Sequence, residues 1–251
     1  MIRIDRSGAS CPEELERDGE EDLPRLRALA AAGGLASKDF DGAIYASPAV
    51  KACLWQMQSG KCCYCEREYE RKYSDIEHFR PKTEALREGK VKTSGYWWLA
   101  YRFDNLYFGC PPCNRTKKTH FPLMAGTRAL ESEEDPRRVE EYPLLIDPGF
   151  ENPEDHLTFV WIPGRGYEVA PRDGSERGRR TIEILELDRD DLSEIRRAYY
   201  RRHLQQLLER FSEAEREGEG AALTQIRREA ATLKAADSPF SLLARIALRE
   251  V

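Results

Sequence analysis

The chain has 251 residues, 40% of them hydrophobic and 10% aromatic, enough to bury a sizeable core in one large domain or two small ones. Charged residues make up 34%, and no apolar run approaches the roughly 18 residues of a membrane span, so no membrane association is expected and the cytoplasm is the expected compartment. The net charge of −5 is unevenly spread: residues 61–125 carry 13 Lys or Arg against 8 Asp or Glu, and the remainder carries 27 against 37. A basic segment inside an acidic chain is the footprint of a local phosphate-binding surface.

Residues 1–57 read as an N-terminal helical segment. "DLPRLRALAAA", residues 22–32, predicts a short amphipathic helix ended by Gly33 and Gly34. "SPAVKACLWQMQSG" predicts a second, with Ser47 as N-cap, Pro48 at the first helical position and Gly60 as the stop. Residues 58–126 hold the paired cysteines, two of the four histidines and the aromatic run "GYWWLAYRF". In residues 127–180 a polar connection over 126–140 leads to "LTFVWIPGRGYEV", two β-rich runs around a Pro-Gly-Arg-Gly turn. From Thr181 the period becomes helical: "DLSEIRRAYYRRHLQQLLERFSEAERE" predicts one long amphipathic helix that ends near Gly218. "AALTQIRREAATLKAA" and "SPFSLLARIALREV" follow as helices, the latter starting at its Ser-Pro, and complete a C-terminal module over 181–251.

Seven cysteines include two Cys-x-x-Cys pairs, Cys62 with Cys65 and Cys110 with Cys113. Each pair places two thiolates on a tight turn, and two pairs complete a tetrahedral four-thiolate zinc site at ~2.3 Å per bond. Such a zinc is structural, because four protein sulfurs leave no open position for water. Cys63 breaks the two-residue spacing, and Cys11 and Cys53 read as small buried hydrophobes. Between the pairs, "SDIEHFRPK" and "DNLYFGC" predict strands and "PPCNRTKKTH" a short helix, so that His78, Asn105 and Asn114 converge. The aromatics Tyr96, Trp97, Trp98, Tyr101 and Phe103 read as apolar support beneath this unit, with Trp97 and Tyr101 at helical spacing. His120, followed by "FPL", reads as structural.

"CYCE", "IEHFRPK", "DNL" and "CPPCNRTKK" together resemble the HNH endonuclease family in its zinc-stapled form. "GYWWLAYRFDNLYFGCPPCNRTKKTHFPL", "YPLLIDPGFENPEDHL", "TIEILELDRDDL" and "SPFSLLARIAL" extend the likeness, over most of residues 53–251, to the PtuB family of HNH subunits in Septu and related retron anti-phage systems. The resemblance implies an α+β fold: a ββα-metal core with a four-cysteine zinc site, embedded in a mainly helical protein with a small β-hairpin. It implies a metal-dependent endonuclease acting on DNA, with RNA as a second possibility, partnered by an ABC-type or SMC-like ATPase of the PtuA kind.

Carried over residue by residue, His78 is the general base that takes a proton from water. Glu77 and Asn114 are the implied ligands of a catalytic Mg²⁺ or Mn²⁺, and the amide of Asn105 orients the histidine loop. Arg115, Lys117, Lys118, Arg80 and Lys82 are the expected phosphate contacts. The amphipathic C-terminal helices offer faces for docking the ATPase or for packing within the chain. The competing reading is a non-catalytic zinc-stabilised module that binds nucleic acid or protein through the same frame.

Overall fold

A computed structural model describes residues 1–131, 133–135 and 140–251. Helix α1 (Glu13–Ala31) starts nine residues before the expected helix. The cause lies in Leu15, Gly19 and Leu26, which continue one buried stripe, while Glu13, Glu14 and Glu16 suit the positive end of the helix dipole. Pro24 lies inside the helix and removes only one backbone donor there. Gly19 is required by close approach, since a Cβ there would stand 2.7 Å from the Tyr101 Cβ. Helix α2 (Gly42–Tyr45) is capped by Asp41, and α3 (Pro48–Met57) by the Ser47 hydroxyl with Pro48 in its first turn.

The centre of the molecule begins with β1 (Asp75–His78), followed by the small antiparallel pair β2 (Glu84–Leu86) and β3 (Lys92–Ser94), which the sequence did not suggest. Strand β4 (Leu106–Gly109) pairs antiparallel with β1, placing Glu77 opposite Tyr107 and His78 opposite Leu106. Helix α4 (Pro111–Lys117) follows at once and packs on β1. The aromatic run is core: Tyr96, Trp97, Trp98 and Tyr101 are buried, and Phe121 stands edge-on to both Tyr96 and Phe79. Its backbone forms only a 3-10 turn, Trp97–Leu99, not the α-helix that its spacing suggested.

The expected connection over 126–140 lies partly outside the described residues. Strands β5 (Leu157–Ile162) and β6 (Gly166–Pro171) form the expected hairpin. Helix α5 (Glu176–Leu185), capped by Ser175, lies against it. The long helix is continuous through α6 (Asp190–Tyr199), a π-helical turn (Tyr200–Gln205) and α7 (Gln206–Glu217), and it ends at Gly218 with φ +70°. Helix α8 (Gly220–Lys234) precedes α9 (Ser241–Ala247). Helix α9 begins beyond the expected Ser-Pro, because Phe240 adopts a left-handed conformation that reorients the chain.

The C-terminal helices pack inward. Leu204, Leu207, Phe211, Leu242 and Leu243 join one hydrophobic cluster that also contains Met1 and Leu54. Buried polar ties fix them to the cysteine turn: Lys61 Nζ donates to the Ser238 carbonyl (2.8 Å), and Glu66 accepts from Ser241 Oγ (2.8 Å) and from the Met1 amine (2.6 Å). Among the described residues no helix is long and apolar enough to cross a membrane.

Candidate metal centre and histidine cleft

Cys62 and Cys65 sit on the turn after α3, Cys110 caps α4 and Cys113 lies in its first turn. All four are buried, and their sulfurs lie within 4.8 Å of one another, with Cys65 and Cys110 3.8 Å apart. A tetrahedron with ~2.3 Å metal–sulfur bonds has edges of about 3.8 Å, so small side-chain adjustments let the cluster hold a four-thiolate ion such as zinc. Burial raises the Cys62 thiol, but the neighbouring thiols of Cys110, Cys113, Cys63 and Cys65 outweigh it and hold Cys62 well below its usual range. The Arg189 guanidinium reaches Cys113 Sγ at 3.7 and 3.8 Å, a charge suited to stabilising thiolate. Although burial opposes its ionisation, the thiolates of Cys113 and Cys65 raise the arginine above its normal range. Cys63 lies outside the cluster; burial pushes its thiol well up, and Cys53 donates to the Ser10 carbonyl.

Against β1 and α4, a cleft of about 440 Å³ is lined by Tyr45, Asp75, Glu77, His78, Lys82, Asn114 and Lys118, among others. A hollow of about 570 Å³ between α1 and Tyr101–Asp104 contains no histidine, so the histidine cleft is the chemical candidate. His78 is buried, with its ring edge-on to Tyr45 at 4.8 Å. Its Nε2 lies 2.9 Å from the Ala100 carbonyl. A carbonyl can only accept, so Nε2 carries the proton and Nδ1 presents a lone pair. Burial, then the positive charges of Lys82 and Lys117, hold the imidazole well below its usual range, and it is neutral at pH 7. The Asn105 amide accepts from the Arg80 N–H (2.8 Å) and donates to the Arg80 and Leu99 carbonyls (both 3.1 Å), pinning the turn that leaves β1.

Several expected site residues have buried internal partners. Glu77 lines the cleft but is 2% exposed, and its carboxylate lies 2.5 Å from Lys117 Nζ and 3.2 Å from the Tyr64 hydroxyl. Burial raises its carboxyl, with Lys117 and Tyr64 opposing. Lys117 is 1% exposed and also donates to the His78 carbonyl (2.8 Å), so it cannot meet phosphate from solvent. Arg80 is buried against Glu141 (2.8 Å) and is likewise a structural cation. Removing one member of such a buried pair strands the other charge, at a cost of about 3–5 kcal/mol.

Lys82 is half-buried over the Tyr45 ring at 4.6 Å and lines the cleft, as does the exposed Lys118. Arg115 is exposed but not part of the cleft lining. His120 donates to the Lys117 carbonyl (2.9 Å), a structural contact. Asn114 donates through Nδ2 to Asp75 Oδ2 (3.0 Å). Asp75 escapes a motif-based reading, although its position two residues before Glu77 on a strand was a legible signal that both occupy one face.

Fold and site together define a strand–strand–helix unit stapled by four cysteines, with an open histidine cleft on its flank. Among known proteins, the chain is 31% identical over 202 residues to Septu protein PtuB of Bacillus mycoides (strain KBAB4), covering 78% of this chain and 66% of that protein. It is 26% identical over 150 residues to Septu protein PtuB of Bacillus thuringiensis, covering 59% and 44%. A segment of Septu protein PtuA of Bacillus mycoides (strain KBAB4) is 29% identical over 144 residues, which is 57% of this chain and 19% of that protein. The chain is thus PtuB-like, a relative of the Septu proteins, and spans just under two thirds of the first and less than half of the other two. No family model matches it.

Proposed function

We propose that this chain is a metal-dependent endonuclease of the HNH type, the nucleolytic component of a Septu anti-phage system, working with a PtuA-like ATPase in the cytoplasm. The observation that carries the proposal is the placement of His78: it lines the cleft with Lys82, Asn114 and Lys118, and its Nε2 proton is held by the Ala100 carbonyl, which leaves Nδ1 with the lone pair that acts as base. In this reading Nδ1 takes a proton from water, and the resulting hydroxide attacks a backbone phosphorus of nucleic acid. Asn105 fixes the loop that follows His78, and Asn114, which lines the same cleft, serves as a ligand through its amide oxygen. Lys82 and Lys118 neutralise the substrate phosphate at the cleft, with Arg115 further along the strand path.

A bound Mg²⁺ or Mn²⁺ supplies charge stabilisation at the scissile phosphate and leaving oxygen. The four cysteines hold zinc as a structural staple, since no coordination position is left for water. The substrate is DNA, with RNA as the second class to be tested.

The test is His78→Ala in the full chain co-purified with the neighbouring ATPase, assayed with Mg²⁺ or Mn²⁺ on plasmid DNA and total RNA. Cleavage should fall by at least ~100-fold, while zinc content and complex formation persist. If the wild-type complex cuts neither nucleic acid, the zinc frame serves binding alone and the nuclease reading is wrong.

A further inference from the structure

Part of the wall of the histidine cleft comes from outside the stapled unit. Ser37, Tyr45 and Lys51, all from the N-terminal helical segment, line it together with His78 and Lys82. The likeness to HNH subunits lies over residues 53–251, so no motif assigns these three a role.

Tyr45 meets both His78 and Lys82. Its ring stands edge-on to the His78 imidazole, with centroids 4.8 Å apart and planes at 69°. The imidazole has one described hydrogen bond, from Nε2 to the Ala100 carbonyl (2.9 Å). One bond anchors one ring atom, while the terminal torsion of a histidine is intrinsically soft, so the tyrosine edge supplies a second constraint on the ring plane. Together the two contacts fix where the Nδ1 lone pair faces.

The same ring lies under the lysine. The Lys82 ammonium stands 4.6 Å from the Tyr45 centroid and 5.6 Å from that of the buried Phe40. Among the described residues Lys82 takes part in no salt bridge, and the nearby Glu77 carboxylate is bound to Lys117. A carboxylate partner would orient the lysine but cancel its charge, whereas an aromatic face orients it and leaves the charge for a phosphate. Tyr45 is held in turn by its own segment: Asp41 caps α2 at the Ala43 N–H (2.8 Å), and the Asp41 N–H donates to the Tyr101 hydroxyl (3.0 Å), which donates to Asp22 of α1 (2.6 Å). Tyr101 also stacks on Tyr45 at 6.5 Å.

Building on the nuclease reading, we infer that Tyr45 is a positioning residue of this cleft, its ring setting the plane of the His78 imidazole and holding the Lys82 ammonium, with its charge uncancelled, for the substrate phosphate. Phe40 completes the cradle of the lysine, so the N-terminal segment is part of the reaction site. No described hydrogen bond uses the Tyr45 hydroxyl, and the ring carries both tasks.

The experiment compares wild type, Tyr45→Phe and Tyr45→Leu in the zinc-loaded full chain with its co-purified ATPase, measuring kcat and KM with Mg²⁺ or Mn²⁺ on plasmid DNA and total RNA. Tyr45→Leu should lower kcat by at least ~10-fold, because the imidazole plane is released, and raise KM by about 2–5-fold, because Lys82 loses its ring. Tyr45→Phe should keep both within about threefold of wild type. Wild-type kinetics in Tyr45→Leu overturns the inference, as does a phenylalanine variant as impaired as the leucine one. A second measurement needs no cleavage: in the full chain carrying isotopically labelled histidine, the nuclear magnetic resonance signal of His78 Nε2–H should broaden in Tyr45→Leu and stay sharp in Tyr45→Phe. An unaltered His78 signal in Tyr45→Leu sinks the positioning role and leaves the nuclease standing. Broadening in a complex that cuts neither nucleic acid does the reverse.

Discussion

The Lys117–Glu77 contact makes a quantitative prediction that is independent of any metal. Both side chains are at most 2% exposed, 2.5 Å apart, and each has secondary partners, the His78 carbonyl for Lys117 and the Tyr64 hydroxyl for Glu77. Replacing either alone, as Lys117→Met or Glu77→Met, leaves a buried charge unmatched and should cost about 3–5 kcal/mol. For a chain of this size that is a fall in Tm of roughly 6–20 °C. The double variant removes both charges and leaves only the His78 carbonyl and the Tyr64 hydroxyl short of a partner, about 1 kcal/mol each, so it should cost about 2 kcal/mol. The double variant should therefore be more stable than either single one. Urea unfolding followed by tryptophan fluorescence, with zinc kept in the buffer, measures all three. Additivity of the single effects to within about 0.5 kcal/mol would refute the reasoning, as would single effects below about 1 kcal/mol.

Other outcomes follow from the same geometry. Arg189→Met removes the cation that faces Cys113 Sγ and should weaken zinc binding by about 10–100-fold in a chelator competition; unchanged affinity would remove Arg189 from the zinc environment. Asp147, which accepts from the Tyr107 hydroxyl and the Gly149 N–H, is pushed up to about 6 by burial, with Tyr107 and Arg80 opposing. A carboxyl whose folded value lies above its unfolded one stabilises at low pH, so roughly 3 kcal/mol of stability should be lost as pH rises from about 4 to 6. Asp147→Asn should flatten that part of the stability–pH curve, and an unaltered slope would contradict the assignment. Gly178→Ala would bring a Cβ within 2.1 Å of the His156 carbonyl oxygen, forcing α5 off the β5–β6 hairpin at a cost of about 1–3 kcal/mol; an unchanged Tm would show that the contact yields freely.

The sequence by itself determined what depends on near neighbours along the chain. Two Cys-x-x-Cys turns, the caps at Ser47 and Pro48, the Pro-Gly-Arg-Gly hairpin and the strands around His78 and before Cys110 are encoded in spacings of a few residues. Local order misled where packing overrides it. The helix expected to start at Asp22 begins at Glu13, because the buried stripe from Leu15 to Leu26 carries α1 through Pro24 despite one missing donor. Only the tertiary structure decided which charges face water. Lys117 and Arg80 read as phosphate contacts, yet they find Glu77 and Glu141, 40 and 61 residues away, and are buried by doing so. Asp75 and Asn114, 39 residues apart, share a hydrogen bond only because α4 lies across β1. A residue's type fixes the chemistry it can offer, whereas its direction and solvation are set by elements distant in sequence, and these determine whether a lysine binds phosphate or a glutamate.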